Sequence, residues 1–222
     1  MLILGAGLGC GGAKPEAAAG NEAPEAAQRE AGQTPTKADA QGEQADAPGD
    51  AELDGALAKS RELSGALGKQ LKAKLMAALS ADGPATAIEV CQLEAPKIAT
   101  ELSADGWQVG RTAARVRNPD NAANEWQARG LAALEPGFAA VAGDPEAMAK
   151  VEWHEVVDGE GGRELHYMRA IPMGAPCLGC HGARDSLLPE VREQLDARYP
   201  EDEATGFAAG DLRGAFVVSV QL

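Results

Sequence analysis

Between Cys10 and Glu52 the chain has no Val, Ile, Leu, Met, Phe, Tyr or Trp. Such a stretch cannot bury enough apolar surface to offset the entropy lost on ordering. Residues 11–50, mostly Ala, Glu, Gly and Pro, are therefore expected to form a disordered linker. Aromatic residues make up only 4% of the chain, and none precedes Trp107. Positive charge is scarce: 20 Lys and Arg face 34 Asp and Glu, a net charge of −14. That balance excludes nucleic acid as a partner and argues against docking on anionic lipid headgroups. There are 4 cysteines and 3 histidines in 222 residues, and from Gly182 to Leu222 there is no Cys, His or Met at all.

The first ten residues are apolar and end in Cys10, followed by Gly11-Gly12. Small residues before a cysteine resemble the tail of a bacterial lipoprotein signal, although no basic residue precedes the apolar run and Gly7 stands where Leu is usual. The segment is too short to span a bilayer. Residues 1–10 are thus expected to be a signal remnant, with lipid on Cys10 as the sole route to a membrane. Residues 51–222 are long enough for one domain with its own core.

Residues 177–181 read Cys-Leu-Gly-Cys-His. Two thiols separated by two residues, with histidine directly after the second, form the attachment signature of a c-type haem. Cys177 and Cys180 are placed to form thioethers with the two vinyl groups, and His181 to reach the iron as proximal ligand. A zinc site needs about four ligands, and no second Cys/His pair with metal spacing occurs. A redox Cys-x-x-Cys does not require the histidine. The expected cofactor is one covalent haem c. Because thioether attachment takes place outside the bacterial cytoplasm, the chain is expected to be exported to the periplasm.

The pattern of the domain is mixed. Leu63, Leu67, Leu71, Leu75 and Leu79 recur every fourth residue and predict a helix over 51–80, stopped by Asp82-Gly83-Pro84. A second helix follows, with Ile88, Cys91, Ala95, Ile98 and Leu102 on one face and a kink expected at Pro96. Strands are predicted over 107–116, 151–157, 164–171 and 215–220, and helices near 124–134 and 187–198. The middle two strands form a hairpin around the Gly-rich loop 158–162. This is an α+β domain with an antiparallel sheet.

The absence of Met, His and Cys after Gly182 places any second axial ligand upstream of the motif. The candidates are Cys91, Met148, His154, His166, Met168 and Met173, with Met76 more remote. His or Met is the generic choice, and each has a plain alternative as a strand or core residue. Cys91 has its own plain alternative as a buried thiol, and is distinguished by its place on a buried helical stripe beside a built-in kink.

Several segments occur together in one order: Ala87-Ile88-Glu89-Val90-Cys91, Ala95-Pro96-Lys97-Ile98-Ala99, Gly110-Arg111-Thr112, Arg117-Asn118-Pro119-Asp120-Asn121 and Glu125-Trp126. After the haem motif come Tyr199-Pro200, Ala204-Thr205-Gly206-Phe207 and Gly210-Asp211-Leu212-Arg213-Gly214-Ala215. Over about residues 55–222 the chain resembles the bacterial c-type haem proteins with a PAS-like domain. The resemblance implies a five-stranded antiparallel PAS-like sheet with flanking helices. It also implies His181 and Cys91 as the two axial ligands. Phe207 stands where that family often has tyrosine.

Arg111, Arg115 and Arg117 form a basic cluster in an acidic chain, and Arg111 and Arg115 are candidates to pair with the haem propionates. No catalytic residue is identified, and the chain is expected not to be an enzyme. A peroxidase would need a distal acid/base pair, which makes that reading the weakest. Two classes remain: a periplasmic sensor of redox state or of a diatomic gas, and a single-electron carrier. Either needs a redox or signalling protein as partner.

Overall fold

The computed structural model describes residues 48–159 and 161–222. The expected signal remnant 1–10, Cys10 and all but the last residues of the linker lie outside the described residues.

The described chain is a four-stranded antiparallel sheet with helices on both faces, in the strand order β1-β4-β3-β2. A long helix, α1 (Pro48–Glu89), leads through a π-turn (Val90–Glu94) into α2 (Ala95–Leu102). Then come β1 (Gln108–Thr112), α3 (Glu125–Ala140), the single turn α4 (Pro145–Met148) and the hairpin β2 (Glu152–Gly159) and β3 (Gly162–Pro172). The short helix α5 (Leu178–His181), α6 (Pro189–Arg198) and β4 (Leu212–Gln221) complete the domain. Among the described residues no helix is long and apolar enough to cross a membrane.

Alternation along the strands assigns the two faces. On one face Leu165, Tyr167 and Val218 pack against Ala56, Leu57 and Leu63 of α1. On the other, Met168, Ala215 and Val217 pack against Leu131 and Leu134 of α3. Helix α3 begins at a capping box, in which Asn124 accepts from the Gln127 amide while the Gln127 side chain takes the Asn124 amide. Trp126, in its first turn, stacks on His166 of β3 at 4.3 Å.

Gly130 lets α3 approach the sheet. A Cβ there would sit 2.7 Å from the Trp153 ring and against Met168 Sδ. Gly130→Ala is therefore expected to overpack the core and cost about 1–3 kcal/mol, measurable by chemical denaturation. A neutral substitution would show that the two layers separate easily.

Two expectations need correction. The sheet has four strands among the described residues, not the five that the family resemblance implied. The residues themselves support only those four. Strand β1 also ends at Thr112 rather than at residue 116. Beyond it Arg115 and Arg117 turn toward the loop at 202–205, to whose carbonyl and carboxylate oxygens they donate. Asn118 accepts from the Asp120 amide and starts a short 3-10 turn, Pro119–Asn121.

The break expected at Asp82-Gly83-Pro84 is present as a kink at Gly83, with φ 80°, inside α1. The Pro96 kink takes the form of the π-turn. Proline has no amide hydrogen and its ring crowds the carbonyl of Gln92, four residues back. One residue earlier, the Ala95 amide reaches back five residues to the Val90 carbonyl, which widens the helix at Cys91.

Tyr167 and Glu152 tie the sheet to α1. The Tyr167 hydroxyl donates to Glu152 at 2.9 Å and Arg61 donates to the same carboxylate. Burial pushes the Glu152 carboxyl up, but the hydrogen bonds from Arg61 and Tyr167 outweigh it, so its pKa lies below the usual 4.5. A depressed carboxylate contributes stability above its unfolded pKa and loses it as pH falls through the folded value. Stability is expected to drop below about pH 4.5, and Glu152→Gln to flatten that part of the profile in denaturation at several pH values.

Candidate functional site

The Leu stripe of α1 is continuous in sequence but not in packing. Leu63 and Leu67 are buried against the sheet, whereas Leu71 and Leu75 roof a cavity of about 350 Å³. Gly68 marks the transition: a Cβ there would come within 2.9 Å of Phe216, so the helix touches β4 at this point and diverges beyond it. The floor is the end of the sheet, with Arg111, Ile171 and Phe216. Cys91 of the π-turn, Cys177 and His181 all line this one space. Its volume falls in the range of small-molecule and cofactor pockets.

The motif is folded rather than dangling. Ala175–Cys177 form a 3-10 turn and Leu178–His181 a helical turn, ending at Gly182. Cys180, on the same turn, packs beside Ile88, Leu187, Val191 and Leu195, with Cys91 and Cys177 as electrostatic neighbours. Cys91, Cys177 and Cys180 are free thiols. Burial pushes the thiols of Cys177 and Cys180 up, so both are protonated at neutral pH.

His181 Nδ1 lies 2.6 Å from the Ala204 carbonyl, and its Nε2 lies 3.5 Å from Arg117 Nη1. Burial and the nearby Arg117 and Arg213 cations push its pKa down from 6.5 to about 2. The imidazole is neutral, as a metal ligand must be. Among the described residues no group of three or more His, Cys, Asp and Glu could hold a metal ion.

Lys72, Arg111, Arg117 and Arg213 line the cavity, and among the described residues no Asp or Glu does. Burial and the neighbouring arginines lower Arg213 to about 10. Arg117 is paired with Asp202, and Arg111 donates to the Cys91 carbonyl at 2.6 Å. A concave, mostly apolar space with cations among its lining fits a hydrophobic ligand carrying negative charge.

Arg115 is placed otherwise. It is exposed, donates to the carbonyls of Glu203 and Thr205, and lies 3.8 Å over the Phe207 ring. It does not line the cavity, and Arg213 does so instead. Arg213 is not among the propionate candidates read from the sequence, where it stands only within the segment 210–215. Of the other distal candidates, Met173 and Met76 line the cavity. Met148 and Met168 are core, His154 is exposed, and His166 is buried beside Trp126 and Glu155.

The profile of the Tll0287-like family matches residues 23–221. The chain belongs to the Tll0287-like family. The crystal structure of the cyanobacterial heme-protein Tll0287 is similar at a TM-score of 0.53 and 26% identity, covering 77% of this chain and 95% of that one. No curated protein matches the chain.

Proposed function

We propose that the chain is a periplasmic c-type haem protein with one covalent haem, acting as a sensor of redox state or of a diatomic gas. The convergence of Cys91, Cys177 and His181 on one cavity with a cationic lining supports this reading, as does membership of the Tll0287-like family. Cys177 and Cys180 would hold the group as thioethers, His181 through Nε2 and Cys91 through Sγ. Lys72, Arg111 and Arg213 supply the positive charge for two propionates. Bound there, haem supplies one-electron chemistry and a place for a diatomic gas.

Cys91 is the residue suited to give way. As a thiolate it would favour ferric iron and hold ferrous iron less well. Its π-turn is tethered on several sides: Arg198 of α6 donates to Glu89 and Gln92, and Arg111 of β1 to the Cys91 carbonyl. A change of register at Cys91 therefore reaches α6 and the sheet. A partner protein would carry the output.

A single-electron carrier is the second reading, favoured by Met76 at 40% and Leu93 at 50% exposure, apolar side chains near Cys91 suited to a transient partner. Absorption spectra of the reduced protein with and without carbon monoxide separate the two. Binding supports the sensor. Unchanged spectra remove gas sensing and the release of Cys91, and leave a redox-state sensor or the carrier.

A further inference from the structure

We propose that the buried Asp202–Arg117 pair is the positioning device for His181, setting which imidazole nitrogen faces the cavity and how the ring is oriented. The inference rests on the haem reading above.

The pair is withdrawn from water, with side-chain exposures of 8% for Arg117 and 2% for Asp202. Arg117 Nε donates to Asp202 Oδ2 at 3.0 Å, and Nη2 lies 2.9 Å from the same oxygen. Its Nη2 also reaches the Cys180 carbonyl at 2.6 Å and the Ala204 carbonyl at 3.2 Å. Asp202 Oδ1 accepts from the Ala204 amide at 2.8 Å. Residue Ala204 is thus held at its amide by the carboxylate and at its carbonyl by the guanidinium.

That carbonyl is the partner of His181 Nδ1 at 2.6 Å. A carbonyl only accepts, so Nδ1 carries the proton. On the other side Nε2 faces Arg117 Nη1 at 3.5 Å, a group that only donates. Both neighbours require the same tautomer, with a bare lone pair on Nε2. The strands of backbone are also stitched together: the Phe207 amide donates to the His181 carbonyl at 2.9 Å and the Gly206 amide to the Gly182 carbonyl at 2.7 Å. The Phe207 ring meets the imidazole edge-on at 6.3 Å between centroids.

Stability alone does not call for this pair, because well-packed apolar residues often replace a buried ion pair without loss. An apolar pair cannot orient two carbonyls around one histidine. Lysine cannot either: it keeps the charge but lacks the planar fork that serves three acceptors at once.

The test uses the full chain with haem attached, by low-temperature electron paramagnetic resonance of the ferric protein and by redox titration. The wild type is expected to show one low-spin set of g-values. Arg117→Lys is expected to show two or more, with haem still covalent. Asp202→Asn leaves a buried cation without its counter-charge. It is expected to shift the ferric:ferrous ratio at fixed potential at least tenfold toward ferrous, ~59 mV for a one-electron couple.

Variants with covalent haem, wild-type g-values and a wild-type ratio overturn the positioning role alone. A wild type without covalent haem overturns the haem reading and this inference with it. Should Arg117→Lys fail to accumulate, the isosteric Asp202→Asn decides by its g-values: more than one set supports the positioning role and a single wild-type set overturns it.

Discussion

Haem-loaded Cys91→Ala is expected to keep its covalent haem, lose its sulfur-to-iron charge-transfer bands and become easier to reduce. The reason is separation of roles around the cavity. On the proposed reading attachment would belong to Cys177 and Cys180 on the motif turn, while Cys91 reaches the same space from the π-turn on a different element. Removing it leaves the attachment thiols and His181 untouched. A thiolate donates electron density and stabilises the ferric state, so its loss raises the potential. The ferric:ferrous ratio at fixed potential should fall at least about tenfold, ~59 mV for one electron. Met76 and Met173 also line the cavity. A thioether taking the vacated place would shift the potential in the same direction, since methionine ligation raises it. An unchanged spectrum would remove Cys91 from the iron.

Arg117→Ala is expected to cost about 3–5 kcal/mol of stability, because removing one member of a buried ion pair strands the other charge. Asp202, at 2% side-chain exposure, would retain only the Ala204 amide as partner among its present hydrogen bonds. The Cys180 and Ala204 carbonyls would lose their guanidinium donor as well. For a domain of this size the melting temperature should fall by about 10 °C. Replacing both residues, Arg117→Met with Asp202→Leu, should cost less than Arg117→Ala alone, since no charge is then left buried. A single-variant loss under about 1 kcal/mol would place the pair with exposed salt bridges.

Much of this arrangement is legible in the sequence. The four strands, the helix break at Gly83 and the role of Pro96 follow from local rules: alternation, a Gly-Pro stop and a missing amide hydrogen. Asn124 and Gln127 announce the start of α3, which then runs to Ala140 through Pro136. What local patterns do not report is where a regular stripe stops being covered. Leu63 to Leu79 read alike, yet only its first part packs on the sheet, because Gly68 is where α1 meets Phe216.

The cationic lining divides along the same line. Arg111 points into the cavity from β1, as its strand position suggests. Arg115, four residues on, lies after the strand has ended and is drawn to Phe207 and the 203–205 carbonyls. Arg213 is distant in sequence from that cluster and joins it only because β4 pairs with β1. The hold on His181 through Ala204 and Asp202 is likewise a tertiary feature, made by a loop that carries no metal-binding residue type beyond its carboxylates.

The intact mass of the full chain, made in a host with working cytochrome maturation and measured after denaturation, decides whether the haem is part of the molecule. The mass should exceed that of the bare polypeptide by one haem, and Cys177→Ala together with Cys180→Ala should return it to the polypeptide value. A wild-type chain that appears at the bare mass, colourless or with its haem freed by denaturation, would overturn covalent attachment at Cys177 and Cys180.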